Sequence, residues 1–218
     1  MSGPCTVAAP KDDKHWMSKH LEYVEAVKNS DCDVVFIGDS IIEYMETSCI
    51  WHDIKTLCRC VNLGIGGDRV ENVLWRVQNG EMDFVNPVKV VVLLVGTNNV
   101  NNEPEDIFEG LMEIIKEIKT RLGNVTIILP SLLPKGQYPN PFRTKNENVN
   151  KMLEEKFCTE DKTEETENVY YVSIGQHLLE PDGTISDKHL YDYLHLTDIA
   201  YLKSFGIVLQ KMKELDLT

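Results

Sequence analysis

Along the chain, short runs of β-branched and aliphatic residues alternate with longer stretches in which apolar positions recur every three or four residues. The short runs are Val34 to Ile37, Val61 to Leu63, Val88 to Val95, Val125 to Leu129 and Val169 to Val172. Between and around them, Lys14 to Lys28, Val70 to Gln78, Pro104 to Arg121, Lys145 to Phe157 and Thr197 to Leu215 carry the helical period. Acids such as Glu103, Glu105 and Asp106 mark a helix start, where negative charge suits the helix dipole. The run Val88-Lys89-Val90-Val91-Val92-Leu93-Leu94-Val95 lacks the polar alternation of a strand with one wet face, so it needs cover on both sides. The pattern predicts a five-stranded parallel sheet between two helical layers, a doubly wound α/β/α fold.

No Pro-, Gly- or Ser-rich stretch divides the 218 residues, so one domain is expected over residues 14–218, preceded by an N-terminal extension over residues 1–13. At this size, with 42% hydrophobic residues, a core needs no metal or disulfide support. Met1 to Lys14 has neither the basic start nor the apolar run of a secretory signal, and no uncharged apolar stretch reaches the ~18 residues of a membrane span. A soluble cytoplasmic chain with no transmembrane segment is the expectation. Cys5, Cys32, Cys49, Cys58, Cys60 and Cys158 are then thiols in a reducing compartment. Cys58-Arg59-Cys60 is not a C-x-x-C pair and no second pair follows it, so packing is expected of it rather than metal binding. A net charge of −13 argues against a nucleic-acid partner, which requires clustered Lys and Arg. Much of that charge lies in Glu154 to Glu167, read as a solvated helix end and loop in preference to an acidic docking tail.

In open parallel sheets, ligands bind beyond the carboxyl ends of the strands. The residues at those ends form a set here. Gly38-Asp39-Ser40 follows the first run, Asn62 to Asp68 spans the end of the second, and Gly96-Thr97-Asn98-Asn99 follows the third. Asp192-Tyr193-Leu194-His195 comes well after the fifth. A serine hydroxyl becomes a useful nucleophile only when a base takes its proton and an acceptor orients that base. Ser40, His195 and Asp192 have the chemistry for those roles. The Ser40 N–H, the Gly67 N–H and the Asn98 side-chain amide could stabilise a tetrahedral oxyanion. His189 and His177 are rival bases, His189 because it also stands three residues from Asp192.

Two other motifs are excluded. The nucleophile elbow of α/β-hydrolases needs glycine two positions after the serine, where Ile42 stands. A dinucleotide fingerprint beginning at Gly64 would end on Arg69 instead of glycine. No His, Cys and carboxylate cluster has zinc or dinuclear spacing, so no cofactor or metal is expected.

The four blocks Gly38-Asp39-Ser40, Asn62 to Gly67, Gly96-Thr97-Asn98 and Asp192 to His195 resemble the signature blocks of the SGNH (GDSL-type) hydrolases. Further stretches extend the likeness over nearly the whole chain. They include His15-Trp16-Met17-Ser18, Val73-Leu74-Trp75-Arg76, Asn79-Gly80-Glu81, Leu132 to Gln137, Pro139-Asn140-Pro141 and Asp182 to Ser186. With these, the chain is similar to the catalytic α subunits of intracellular platelet-activating factor acetylhydrolase, type Ib. The resemblance implies a flavodoxin-like fold and metal-independent removal of a short acyl group from an ether phospholipid. It also implies a homodimer or heterodimer of catalytic subunits and a WD-repeat regulatory partner. Ile41, Thr97 and Leu194 occupy motif positions that line the acyl pocket in that family. Two departures are Leu94, where the family often has Trp, and a longer, more acidic stretch from Cys158 to Asn168. An apolar surface around Trp51 and Trp75 is a candidate dimer face. A generic short-chain or carbohydrate acetylesterase, and a non-catalytic binding subunit, are the competing readings; the fold alone does not separate them.

Overall fold

The computed structural model describes residues 3–217, so the first two residues of the extension and Thr218 lie outside the described residues. Each apolar run forms a strand: β1 (Val34–Gly38), β2 (Cys60–Gly64), β3 (Val90–Leu94), β4 (Thr126–Pro130) and β5 (Val169–Val172). All pair in parallel, in the order β2-β1-β3-β4-β5. The central strands β1 and β3 are buried at every position, including Leu94. Continuous burial explains why their sequences show no polar alternation.

The helices are α1 (Lys14–Lys28), α2 (Ser40–Met45), α3 (Cys49–Leu57), α4 (Val70–Arg76), α5 (Pro104–Leu122), α6 (Pro141–Phe157) and α7 (Asp198–Glu214). They pack in two groups, α4 with α5 and α6, and α3 with α7, giving the two outer layers. The fold is the three-layer α/β/α arrangement expected. Its strand order is that of flavodoxin-like sheets, in which the chain departs to opposite sides of β1 and leaves a crevice beyond the carboxyl ends of β1 and β3.

Local chemistry sets several boundaries that periodicity missed. Helix α6 begins at Pro141, not Lys145, because the Asn140 side chain accepts from the N–H groups of Phe142 and Arg143, and Pro141 suits the first helical turn. Helix α4 ends at Arg76 and passes into a π-helical turn, Val77–Glu81, in which Gly80 has φ of 107°. The expected helix to Gln78 is therefore split. Helices α2 and α3 are too short for their period to have stood out in the sequence.

The N-terminal extension is pinned against the domain. Cys5 is buried between Asn99 and Gly110, Ala9 N–H donates to Glu71 O at 3.0 Å, and the Asn72 amide donates to Ala9 O at 2.9 Å. Beyond α6 the acidic stretch is also held: Lys119 Nζ donates to the carbonyls of Glu164, Glu165 and Glu167 at 3.1, 2.9 and 2.8 Å. Of the candidate face around Trp51 and Trp75, Trp51 is withdrawn from the surface. Trp51 is 5% exposed and meets Phe36 edge-on, while Trp75 packs against Trp16 and His20. Trp51 thus spends its large apolar area on the core, while Trp75 is half-buried.

Gly38, against the Leu94 carbonyl of β3, and Gly64 let the backbone close tightly under the crevice. A Cβ on Gly64, at the end of β2, would collide with Glu43 N and stand 2.6 Å from Glu43 Cα in α2. Both neighbours are main chain and cannot rotate away. Gly64→Ala should therefore destabilise the fold by at least about 1–3 kcal/mol, as over-packing does. Urea unfolding measures it, and an unchanged midpoint would mean that α2 moves freely against β2.

Candidate active site

The crevice gathers side chains from loops far apart in sequence. Ser40 is the first residue of α2, immediately after β1, and is 6% exposed. Its placement depends on Asp39, whose Oδ1 accepts from Ile41 N–H at 2.9 Å and caps the helix. Ser40 Oγ lies 2.9 Å from His195 Nε2. On the other side of the ring, His195 Nδ1 lies 2.6 Å from Asp192 Oδ2. Asp192 Oδ1 also accepts from the N–H groups of Leu194 and His195, at 3.0 and 2.7 Å. This tight turn is bought with backbone strain at Tyr193, whose φ is 62°. Burial works to raise the Asp192 carboxyl, but the bonds from His195 and Leu194 outweigh it and hold the group below the usual carboxylate range.

The rival histidines are engaged elsewhere. His189 Nε2 is 3.6 Å from Glu180 Oε1, and His177 Nε2 is 3.4 Å from Ser204 Oγ. His15 and His52 are exposed. Among the described residues, no group of three or more His, Cys, Asp or Glu is arranged to hold a metal ion.

The other strand ends bring the donors. Ser40 N–H belongs to the first turn of α2, where N–H groups have no intrahelical acceptor. The loop after β2 turns at Gly67, with φ of 72°, and Gly66 runs past Ser40, 3.9 Å separating Ser40 Cβ from the place a Gly66 Cβ would take. Asn98, after β3, donates one amide N–H to Asp68 O at 2.9 Å, which leaves its second N–H for another acceptor. Thr97 and Ile41 are buried, Ile41 within the core, and Leu194 is half-buried.

Several residues around this set gave no sequence signal of their own. The rings of Tyr44 and Tyr191 flank the His195 imidazole, with centroids 5.0 and 5.9 Å away. Lys135 Nζ donates to Thr97 O at 2.5 Å, and burial pulls its ammonium below the usual lysine range. Beneath the loop lies a charge network without access to water. Arg76 Nη2 donates to Gly38 O at 3.0 Å, and Nη1 to Leu63 O at 2.8 Å and Glu81 Oε2 at 2.7 Å. Arg76 Nε lies 2.8 Å from Asp68 Oδ2, and Glu81 Oε1 lies 2.7 Å from His20 Nδ1. The available hint was Arg76 alone, a charge set between Val73, Leu74, Trp75 and Val77.

The sequence profile of the GDSL-like lipase/acylhydrolase family matches residues 36–203. The chain belongs to this family. Among curated relatives, the platelet-activating factor acetylhydrolase IB subunit beta homolog of Drosophila melanogaster is 39% identical over 204 residues, 92% of this chain and 88% of its own. The human platelet-activating factor acetylhydrolase IB subunit alpha1 is 36% identical over 200 residues, 92% of this chain and 84% of its own. A GDSL-like lipase from Bacteroides thetaiotaomicron shares the fold with a TM-score of 0.71 at 18% identity, covering 93% of this chain and 97% of its own. A carbohydrate acetylesterase from Sinorhizobium meliloti does so with a TM-score of 0.60 at 13% identity, covering 84% and 98%. The family places the chain among acylhydrolases, enzymes acting on esters.

Asp39 offers a test of how dry the base of the site is. It is 1% exposed, its Oδ2 has no hydrogen-bond partner among the described residues, and burial, reinforced by Asp68, pushes its carboxyl up to about 7 against the bond from Ile41. Between the unfolded carboxyl's value near ~4 and about 7, the folded chain holds more protons than the unfolded one. Stability from this group is thus lost as pH rises through that window. Asp39→Asn keeps a cap acceptor without the charge and should flatten the fall, as read by urea unfolding at pH 5 and pH 8. An equal fall in variant and wild type would place the titration elsewhere.

Proposed function

We propose that this chain is a serine esterase that removes a short acyl group, acetyl in the first instance, from an ether phospholipid of the platelet-activating factor type. The observation that carries the reading is the continuous relay from Ser40 Oγ through His195 Nε2 and Nδ1 to Asp192, with steps of 2.9 and 2.6 Å. The relatives named as platelet-activating factor acetylhydrolase subunits support the substrate class. Assembly as a dimer, docking of a WD-repeat regulatory subunit and a cytoplasmic setting belong to the same proposal. Among the described residues no helix is long and apolar enough to cross a membrane.

In this mechanism Ser40 Oγ attacks the ester carbonyl carbon while its proton passes to His195 Nε2, and Asp192 stabilises the imidazolium that forms. The carbonyl oxygen takes up negative charge facing the N–H groups of Ser40 and Gly67 and the free amide N–H of Asn98. Collapse breaks the ester C–O bond, and the departing alkoxide takes the proton from His195. Water, deprotonated by His195, then releases the carboxylate and restores Ser40. Ile41, Thr97 and Leu194 form the wall that meets the acyl group.

Two experiments check the reading. Ser40→Ala and His195→Ala should each abolish hydrolysis of p-nitrophenyl acetate and of an acetyl ether phospholipid, with the fold retained by circular dichroism. Wild-type turnover by Ser40→Ala would remove the nucleophile, and preference for an acetylated sugar would replace the substrate class. Across p-nitrophenyl esters from acetate to octanoate, kcat/KM should fall, because extra methylenes against a filled wall cost about 1–3 kcal/mol, roughly ten- to a hundredfold in rate. Leu194→Ala should flatten that fall. Equal values across the series in wild type would remove the pocket.

A further inference from the structure

The peptide joining Gly66 to Gly67 carries on one side the N–H assigned above to the oxyanion and on the other the Gly66 carbonyl. Lys11 Nζ donates to that carbonyl at 2.9 Å. A peptide unit is planar and trans, so its C=O and N–H point in opposite directions, and fixing one aims the other. The flanking residues are both glycines, and Gly67 is at φ of 72°, so side chains impose little on this plane. An acceptor bond from a cation also polarises the amide and makes its N–H a stronger donor.

Lys11 is itself held in place. Its ammonium lies 2.8 Å from Asp68 Oδ1, which also accepts from the Trp16 indole N–H at 2.7 Å. The other Asp68 oxygen faces Arg76, so the aspartate is locked from both sides. Upstream, Ala9 is bonded to α4 at its N–H and its carbonyl, and downstream Asp13 caps α1 through the N–H groups of His15 and Trp16. Lys11 thus hangs between two anchors, with its side chain 24% exposed. It stands outside the segment matched by the family profile, residues 36–203.

We infer that Lys11, in the N-terminal extension, is a positioning residue that orients and polarises the Gly66–Gly67 peptide for oxyanion stabilisation. The inference rests on the serine-esterase reading and adds a part of the chain to its active site. The ammonium acts on the transition state through the peptide and touches no substrate, so its loss lowers kcat and spares KM.

The test uses the full chain and p-nitrophenyl acetate. Lys11→Met should lower kcat roughly tenfold, less than the ~10²–10³ of losing an oxyanion donor outright, with KM within about twofold. Labelling of Ser40 by an organophosphonate should slow in parallel, and Lys11→Arg, which keeps charge and donors, should restore most of kcat. Asp33→Ala is the control: it removes a carboxylate paired with Arg59 and Lys89 at the end of β1 opposite Ser40, and should lower the melting temperature without lowering kcat. Wild-type kcat in Lys11→Met, or an equal loss of kcat in Asp33→Ala, overturns the inference. Ser40→Ala run alongside separates the two levels: if it is inactive while Lys11→Met is normal, only the role of Lys11 falls, whereas if it is active the esterase reading falls and takes this inference with it.

Discussion

The crevice depends on a guanidinium that has no contact with water. Arg76 bonds the last carbonyl of β1, the carbonyl before the last residue of β2, and two carboxylates, Asp68 and Glu81. Those carbonyls belong to Gly38 and Leu63, just ahead of Ser40 and of the glycine turn. Desolvating such charges costs several kcal/mol per ion, and their mutual attraction does no more than offset it, so the network is weak evidence for stability. What it gives is placement. Removing one partner would leave the rest buried and unpaired, which typically costs about 3–5 kcal/mol, so the two strand ends are held to one relative position.

The short β2 loop shows why such an anchor is needed. A parallel sheet fixes strands through their ladders, but the ladder between β1 and β2 stops at Gly38 and Gly64. Beyond it, Ile65 N–H reaches back to Gly38 O at 3.1 Å, and Asp68 N–H closes the turn on Ile65 O at 3.2 Å. Gly64 is required there because the backbone of β2 lies against that of α2, and Gly67 because its φ is 72°. Arg76 and Asp68 restrain the loop from below, Lys11 from the side and the Asn98 amide from the adjoining strand end.

How much of this was legible follows from which patterns are local. The five strands and most long helices announce themselves by period, and the order of polar blocks after strands brought forward Ser40, Gly67, Asn98, Asp192 and His195 as candidates. The sequence favoured His195 over His189, both three residues from Asp192, and the turn at Tyr193 is what brings the His195 ring to Ser40. Trp51 misled because an apolar aromatic reads the same in a core as on an interface. Lys11, Asp68, Arg76 and Glu81 were illegible as a group, since their pairing spans the extension, a loop, a helix and a π-turn. A lone lysine in a polar segment carries no trace of the carbonyl it will meet.

The two sides of the relay differ in their access to water, and that difference supports the chemistry proposed. On the side proposed for the acyl group, Ile41, Thr97 and Ser40 are buried and Leu194 is half-buried. On the other side, Asp192 and the rings of Tyr44 and Tyr191 reach solvent. A dry wall next to the nucleophile strengthens each N–H directed at a developing oxyanion, because no water competes for it and the local dielectric is low. An open face beside His195 lets a bulky alcohol leave and a water molecule follow by the same route, each within reach of the imidazole. The flanking tyrosines limit the ring's motion without closing that route. A site closed on one side and open on the other thus suits an ester with a small acyl group and a large alcohol better than one with the sizes reversed.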